Sequence, residues 1–316
     1  RYTLLTELEF RCGQPEDFEW PEPVSLFHEP RHLRLQAATG WISFAAYRGN
    51  NHLSLLIHFH IQQGKAASPG RAPFGSFLFL PDVSAADWSN FLRYIEAECI
   101  QRGIRQLEIK CPPMPYCSDD KRVVDEALAR ANYISHEDVV ASIPILPVAF
   151  YELLHRAEKK KLRKSDTAGA EFQLLPLAQL ENVYRHLSEW RASKNLSLSL
   201  SLADLQQLAA AFPNHVLLTA VRLKDQWIAA NVSLRVTGHV LYNFYHDHDP
   251  AWDSLSPVVK LNEGLYNLGR AQDMQWLDLG TSLDNGRLRP SLLEFKERLG
   301  AKLFPKLTFR KVLTHD

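Results

Sequence analysis

The sequence predicts an α/β protein built from two similar units, each with a mixed β-sheet. Segments with strand-like and helix-like patterns alternate along the chain, and their order is the same in both halves. The length of 316 residues, 46% of them apolar, is enough for two well-filled cores. An internal duplication explains both observations, so we expect two domains, 1–147 and 148–316, that face each other across a cleft.

In the first half, the residues before about position 30 are rich in proline and acids and are expected to wrap the surface. Ser84 is a suitable N-cap for a helix over 84–102, in which apolar residues recur at helical spacing until Gly103. A second helix is predicted over 121–131, and the segment 64–75, rich in Gly, Pro and Ser, is predicted as a loop. Strands are predicted at 32–36, 41–48, 52–62, 104–110 and 133–145.

The second half shows the same alternation. Ser256 is placed to cap a helix over 257–271, with Pro257 in the first turn, where its missing N–H costs nothing. Further helices are predicted at 153–165, 177–194, 202–212 and 290–299. Strands are predicted at 171–175, 215–223, 227–236, 239–246, 274–279 and 301–312.

Composition excludes several broad classes of function. Lys plus Arg and Asp plus Glu both number 36, which argues against general attraction to nucleic acid or to a membrane surface. Positive charge is nevertheless concentrated at 156–164 and 286–316, a distribution that suits an anionic substrate. The four cysteines have no CxxC spacing, Arg1 to Phe10 lack an apolar signal sequence, and no apolar run approaches the ~20 residues of a membrane span. We therefore expect a cytoplasmic protein with reduced thiols.

Several motifs resemble one family of transferases. The basic segment 156–164 followed by Gly169, the Ser256-Pro257 helix start, Leu277-Asp278-Leu279-Gly280, and Phe295-Lys296 before Gly300 are similar to the second unit of the Fem-type peptidyltransferases and their FemAB-like relatives. Pro73-Phe74-Gly75 resembles a loop motif of the first unit. The order of the elements is that of the GNAT N-acyltransferase fold, repeated twice.

This resemblance implies an N-acyltransferase that moves an acyl or aminoacyl group from an activated donor to a small-molecule or peptide amine. The acyl-transfer site would lie in the second domain, and the first, degenerate domain would shape the acceptor groove. The donor is left open between acyl-CoA and aminoacyl-tRNA, with no tightly bound cofactor and no metal. The segment 249–257 lacks the glycine-rich pyrophosphate loop typical of enzymes that use acyl-CoA, so a catalytically inactive protein that binds an anionic ligand or partner is the alternative.

Four residues are candidates for catalysis. The resemblance implies that Lys296 faces the groove and could contact a phosphate, a carboxylate or the oxyanion. The alternative is an exposed lysine on a charged helix. Asp278 lies mid-strand between leucines, where an unpaired carboxylate is costly, so it is expected to orient Lys296, to bind the incoming ammonium, or to serve as a structural partner. Tyr245 and His246 lie where the strand is expected to open toward its neighbour, and His246 can accept a proton near neutrality. The alternative is that Tyr245 is a core residue and that His246 caps the end of the strand.

Seven residues are candidates for substrate binding. Arg163 and Lys164 end the basic segment, where they could bind phosphates or lie on a solvated helix. Phe74 and Gly75 could line the acceptor groove or form a tight loop. Ser256, Val258 and Val259 surround the start of the predicted helix 257–271, where free N–H groups form a natural seat for an anion.

Overall fold

A computed structural model describes residues 7–49, 51–117, 121–284 and 286–314. The chain folds into two compact units. Unit 1 comprises Arg1–Asp138 together with Pro305–Asp316, and unit 2 comprises Val139–Phe304. Within the described residues, no helix is both long and apolar enough to cross a membrane.

Unit 1 is built around one sheet and three helices. Its strands are β1 (Leu8–Gly13), β2 (Trp41–Arg48), β3 (His52–Gln62), β4 (Lys65–Ser68), β5 (Leu78–Phe79) and β6 (Gln106–Lys110), and its helices are α1 (Pro30–Gln36), α2 (Ala85–Gln101) and α3 (Lys121–Arg130). Ser84 caps α2 as predicted: its hydroxyl accepts from the Asp87 N–H, and the Asp87 carboxylate accepts from the Ser84 N–H. The buried face of α2 packs on the sheet through Trp88, Phe91 and Ile95.

Unit 2 begins in β7 (Ile134–Pro144), which crosses the boundary between the units. The remaining helices are α4 (Phe150–Leu153), α5 (Arg156–Thr167), α6 (Leu180–Ala192), α7 (Leu202–Ala211), α8 (Pro257–Ala271) and α9 (Pro290–Arg298). The strands are β8 (Glu171–Leu175), β9 (Val216–Leu223), β10 (Gln226–Arg235), β11 (Val240–His248), β12 (Trp276–Thr281), the short pair β13 (Leu283–Asp284) and β14 (Arg287–Leu288), and β15 (Lys302–Val312).

The two sheets have the same strand order and the same directions. In unit 1 the order is β1-β2-β3-β4-β6-β15, and in unit 2 it is β8-β9-β10-β11-β12-β7. In each sheet the first three pairings are antiparallel, the fourth is parallel and the last is antiparallel. The predicted mixed α/β fold and its duplication are therefore confirmed.

The division of the chain differs from the expected boundary at 147/148. Unit 2 starts at Val139 because Val140–Pro144 of β7 pairs with β12. The chain returns to unit 1 at Pro305 because Thr308–Val312 of β15 pairs with β6. Each half of the chain thus contributes its last strand to the sheet of the other unit.

Several predicted elements differ from the structure. Residues 32–36 are helical in α1, where Pro30 occupies the first turn, and the predicted strand is wrong. The N-terminal segment contains β1, which pairs along β2, and the predicted loop 64–75 contains β4. The predicted helix 153–165 is broken into α4 and α5, because His155 takes an extended conformation and caps α5 by accepting from the Ala157 N–H.

The helix α8 packs closely against the sheet of unit 2. Val259, Leu261, Leu265 and Tyr266 are fully buried. Gly264 makes this approach possible, since a Cβ atom built there would lie 1.9 Å from the Phe172 ring on β8. A small residue on α8 therefore fixes the distance between the helix and the strands that it covers.

Candidate functional site

The parallel strands β11 and β12 separate soon after they meet. Their pairing covers only Val240–Tyr242 on β11 and Trp276–Asp278 on β12. Beyond this point β11 continues to His248 without β12 beside it. The backbone of β11 is therefore released from one neighbour, so its N–H and C=O groups on that side are available to a ligand.

A β-bulge lies in the free part of β11. Val232 on β10 pairs with Tyr245, but the next residue, Ser233, pairs with Asn243, so Phe244 has no partner in the β10 register. A bulge of this kind bends the strand and redirects its groups. It is next to the point where β11 and β12 diverge.

Buried amides hold the bulge in place. The side chain of Asn231 donates to the Asn243 amide oxygen at 2.5 Å and to the Tyr245 carbonyl at 3.0 Å. Asn243 in turn donates to Asn262 on α8 at 3.3 Å, and Asn262 donates to the Val258 carbonyl at 2.8 Å. All three asparagines are at most 2% exposed. A continuous polar chain therefore connects the bulge to the first turn of α8, and such networks specify one conformation when every member is satisfied.

Lys296 lies buried at the end of β12. Its side chain projects from α9 and is 4% exposed, and its Nζ donates to the carbonyls of Gly280 at 3.1 Å and Thr281 at 2.8 Å. Burial lowers the pKa of this ammonium to about 8, and the negative charge of Asp278 opposes the shift. An ammonium carries three N–H donors, and within the described part of the chain the carbonyls of Gly280 and Thr281 accept two of them.

Asp278 shapes the end of β12. Its Oδ1 accepts from the Gly280 N–H at 2.7 Å and from the Ser142 hydroxyl at 3.4 Å. Gly280 has φ +69°, which glycine adopts without strain. The aspartate therefore helps to hold the turn that presents the two carbonyls to Lys296.

Tyr242 faces the same turn. A Cβ atom on Gly280 would lie 3.4 Å from the Tyr242 hydroxyl. Burial, followed by the nearby charge of Asp278, raises the pKa of this phenol, so it stays protonated at neutral pH. Its ring packs against Phe244 with the centroids 5.6 Å apart. Tyr242 is thus a polar group at the divergence point that the sequence analysis did not single out.

His246 lies further along the free part of β11. Burial lowers its pKa to about 4, and the ammonium of Lys296 contributes to this shift. Its Nδ1 is buried, and among the described residues it has no hydrogen-bond partner. At neutral pH this ring is therefore uncharged and can accept a hydrogen bond, but it is a weak base.

Tyr245 points to the opposite side of β11. Its hydroxyl contacts the Ser199 hydroxyl and accepts from the Leu200 N–H at 2.9 Å. The neighbouring Asp247 binds the Lys194 ammonium at 2.5 Å. These contacts tie β11 to the segment between α6 and α7. The Tyr245 ring also stacks on Phe244, with the centroids 4.0 Å apart.

The basic helix α5 has a mixed character. Lys164 is exposed, whereas the Arg163 guanidinium donates to the Tyr151 hydroxyl through Nε at 2.7 Å. Glu158 is fully buried and binds Lys161 and Arg298 at 3.0 and 3.2 Å. Arg163 is therefore partly engaged within unit 2, and the two candidates are not equivalent.

The start of α8 differs from the prediction in two ways. Ser256 adopts a left-handed conformation with φ 49° and ψ 59°, so its side chain makes no capping hydrogen bond. The expected cap is therefore wrong, because a cap residue needs an extended backbone to direct its side chain at the helix. The Val259 N–H is not free either, since it donates to the Ser256 carbonyl at 3.0 Å. The Val258 N–H remains without an acceptor among the described residues.

Phe74 and Gly75 lie within unit 1 and are buried. The ring of Phe74 packs on Phe27 and Tyr116, with centroids 5.0 and 4.6 Å away. Gly75 donates its N–H to the Lys110 carbonyl at 2.9 Å, and a Cβ atom there would lie 2.7 Å from Pro69. These two residues are structural in unit 1, and the competing interpretation as a tight loop describes them better than a groove lining does.

His246 and His248 stand two residues apart on β11, a spacing that also occurs in metal sites. His248 Nε2 lies 2.6 Å from the Asp253 carboxylate. Across the described segments, no group of three or more His, Cys, Asp or Glu residues is arranged to hold a metal ion.

Comparisons with known proteins agree with this topology. Residues 154–296 match the family model described as an acetyltransferase (GNAT) domain. No curated protein matches the sequence.

Solved structures are similar to a larger part of the chain than the family model is. A structure of FemX has a TM-score of 0.67 at 11% identity, over 90% of this chain and 91% of that one. L-PGS from Bacillus licheniformis has a TM-score of 0.55 at 13% identity, over 83% and 82%. A tandem GNAT protein from the clavulanic acid biosynthesis pathway has a TM-score of 0.54 at 10% identity, over 98% and 100%.

At these identities the likenesses show the fold and leave the substrates open. The family match lies inside unit 2, and the diverging parallel strands lie within the matched residues. Residues 154–296 are therefore similar to an acetyltransferase (GNAT) domain, and the strand order of unit 2, which contains them, recurs in unit 1.

Proposed function

We propose that unit 2 catalyses N-acyl transfer from an activated donor to an amine, as a FemAB-like member of the GNAT group. The observation that carries the proposal is the opening between β11 and β12, with a bulge on one strand and the buried Lys296 ammonium at the end of the other. A donor carbonyl placed in this opening would meet backbone N–H groups of β11 and a positive charge.

The reaction joins the amine nitrogen to the acyl carbon. The C–N bond forms as the bond from the acyl carbon to the donor sulfur or ester oxygen breaks, the amine loses one proton, and the leaving group gains one. In the intermediate the negative charge develops on the carbonyl oxygen. Donors that are already in position for that oxygen lower the barrier, because they need no reorganisation when the charge appears.

Lys296 supplies this charge in the proposal. Two of its N–H groups are fixed by the carbonyls of Gly280 and Thr281, so the direction of the third is fixed as well. With a pKa of about 8, the side chain is mostly an ammonium at neutral pH. Asp278 acts as a positioning residue, since it holds the Gly280 N–H and the turn around it.

His246 takes a different part in the proposal. A histidine ring whose pKa is about 4 is almost entirely unprotonated at neutral pH and is a weak general base. As a neutral ring with a buried, unsatisfied Nδ1, it can accept a hydrogen bond from the incoming amine and orient its lone pair. Tyr245 would support the bulge through its contacts with Ser199 and Leu200.

The donor is an acyl-CoA or an aminoacyl-tRNA in this proposal. The GNAT domain favours CoA, which this group of proteins generally uses. The segment before α8 favours another donor, because Pro250–Leu255 is a 3-10 helix that is capped by Asp249 and contains no glycine. Arg163, Lys164 and the Val258 N–H are the groups on this side of unit 2 that we assign to donor phosphates.

The same acidic, glycine-free segment favours a second candidate. A unit that retains the fold but has lost the phosphate loop could bind an anionic ligand without turnover. The two candidates differ in one observable: only the first releases the donor's leaving group in proportion to an added amine.

The test is a transfer assay with two donor panels. The parent protein is mixed with acyl-CoA thioesters or with aminoacyl-tRNAs and a set of amines, and amine-dependent release of thiol or of deacylated tRNA is measured. We expect turnover with one panel and a loss of at least about tenfold in kcat/KM for Lys296→Met, which corresponds to ~1.4 kcal/mol.

Lys302→Met is the matched control, because Lys302 is exposed and follows the same helix. We expect its kcat/KM to equal that of the parent. Binding of a donor without turnover across both panels would favour the inactive candidate, and equal rates for the parent and Lys296→Met would remove the role assigned to Lys296.

A further inference from the structure

Unit 1 contains a cavity of about 530 Å³. It lies on the face of the sheet opposite α2, over the parallel pair β4 and β6. Leu107 and Ile109 of β6 are buried in the apolar core, so the alternating residues Gln106, Glu108 and Lys110 point to the other face. The cavity is therefore bounded by side chains that the core does not use.

Positive charge predominates in the lining. Lys65, Arg71 and Lys110 line the cavity with a single carboxylate, Glu108. Glu108 Oε2 already accepts from Lys65 at 2.8 Å and from Arg310 at 2.7 Å. These two cations hold the pKa of Glu108 below its usual range against the effect of burial. Lys65 and Arg310 therefore already balance the negative charge of Glu108, and Lys110 and Arg71 add further positive charge.

Lys110 forms no direct ion pair within the described residues, because the Glu108 carboxylate is bound by Lys65 and Arg310. Its Nζ donates to the Gly70 carbonyl at 2.9 Å, which leaves two of its three N–H groups without an acceptor within the described segments. Burial lowers the pKa of Lys110. The negative charge of Glu108 opposes this shift, and repulsion from Lys306, Lys65 and Arg310 adds to it. A partly buried ammonium among other cations is stabilised when an anion binds beside it.

Four glutamines and a histidine supply most of the remaining polar lining, beside Trp41 and small residues. Glutamines 36, 62, 63 and 106 and the ring of His60 surround the cavity. His60 packs on Trp41 with the centroids 5.0 Å apart. Gly70, with φ +80°, lies against both rings, since a Cβ atom there would be 3.2 Å from the Trp41 ring and from the His60 Cβ. Amide groups of this kind suit hydroxyl or amide groups on a ligand.

We propose that this cavity binds a small polar anion, in which a carboxylate or phosphate contacts Lys110 and Arg71 while hydroxyl or amide groups contact the glutamines. The site lies entirely in unit 1 and needs no chemistry in unit 2. Its failure would therefore leave the proposed acyl transfer untouched, and the reverse also holds.

Calorimetric titration of the full chain tests the proposal with three probes that share one polyol. Glucose 6-phosphate carries a phosphate, gluconate carries a carboxylate, and glucose is neutral. We expect one or both anions to bind with a stoichiometry of one, no binding of glucose under the same conditions, and at least a tenfold loss of affinity in Lys110→Met. Comparison of the two anions distinguishes a phosphate site from a carboxylate site.

Two further variants make the result specific. Arg71 is exposed at the rim, so Arg71→Met should fold normally and should weaken the same anion. Arg122→Met is the matched control, because Arg122 is exposed on α3 and does not line the cavity. The proposal is overturned if neither anion binds the parent, if glucose binds equally well, or if Arg122→Met weakens binding as much as Arg71→Met does.

Discussion

Replacement of Lys296 by methionine should change how stability depends on pH. The side chain is 4% exposed, and its pKa falls from 10.5 in an ordinary lysine to about 8 in the folded protein. Methionine has a similar length and no charge. The variant therefore removes the titration while keeping most of the packing.

The sign follows from proton binding. Between pH 8 and 10.5 the folded protein has lost the Lys296 proton, whereas the unfolded chain still carries it, so the parent's free energy of unfolding rises with pH across this window. The shift from 10.5 to about 8 corresponds to about 3 kcal/mol. Below pH 8 the buried charge lowers stability by that amount, relative to a neutral group.

The difference in the free energy of unfolding between parent and variant at a single pH is less informative than its change with pH. Methionine leaves the carbonyls of Gly280 and Thr281 without their shared donor, and each unpaired carbonyl costs about 1–3 kcal/mol. This loss offsets the gain from removing the charge, but it does not depend on pH. The slope is therefore the quantity to measure.

The assay is urea-induced unfolding at several pH values, with tryptophan fluorescence as the signal. The parent should gain about 3 kcal/mol relative to Lys296→Met between about pH 7 and pH 11. The same comparison with Lys302→Met, at an exposed position, should show no such gain. A difference between parent and Lys296→Met that stays constant with pH would refute the buried ammonium.

Three other predictions concern buried residues that stabilise the two units. Gly264→Ala should lower the free energy of unfolding by about 1–3 kcal/mol, because the new Cβ atom would lie 1.9 Å from Phe172; an unchanged urea midpoint would contradict the close packing of α8. Gly75→Ala should also destabilise, since its Cβ atom would lie 2.7 Å from Pro69, and a thermal melt equal to the parent's would speak against this contact. Burial lowers the pKa of His58 to about 3, so below pH 6.5 the unfolded chain binds more protons than the folded protein does. The parent's free energy of unfolding should therefore fall by about 3 kcal/mol relative to that of His58→Gln between pH 7 and pH 4.5. Equal losses for the two proteins in urea unfolding would rule this out.

Local patterns were sufficient for most elements of the fold. The helix α2 could be predicted because its apolar residues repeat at helical spacing behind Ser84, and α8 because Pro257 marks its first turn. The strand β4 was missed because four small or polar residues between turn-forming segments carry little periodicity. The sequence analysis also does not predict that β7 joins the sheet of unit 2 and that β15 joins the sheet of unit 1. Both strands show ordinary strand patterns, and local sequence does not record which sheet a strand joins.

The site was harder to predict than the fold. Lys296 stands in a run of charged residues that reads as a solvated helix face, and only the family resemblance singled it out. Its burial depends on the turn at Gly280, which comes from a different element. The polar chain from Asn231 through Asn243 to Asn262 joins three elements far apart in sequence, and no spacing rule connects them. Asparagine within an apolar strand was the available signal, since a buried amide requires partners.

The residues that line the cavity of unit 1 were also hard to predict from the sequence. The sequence predicts the segment 64–75 as a loop, in which Phe74 and Gly75 could line a groove or form a tight turn. The residues of this segment that line the cavity are Lys65, Ala67, Gly70 and Arg71. Which residues of a loop face a cavity depends on how its ends are held. Here the backbone N–H groups of Arg71 and Ala72 are fixed by the Gln36 side chain at 2.7 and 3.0 Å.

The central claim is that an activated acyl donor binds where β11 and β12 separate. It is tested most directly by amide chemical shifts of the isotope-labelled chain, recorded while a non-transferable acyl-CoA analogue or a stable analogue of a 3′-aminoacyl adenosine is added. We expect one of the two analogues to shift the signals of residues 243–247 and 279–281 in a saturable manner. Saturable binding of either analogue with changes confined to other parts of the chain, or no binding of both, would contradict it.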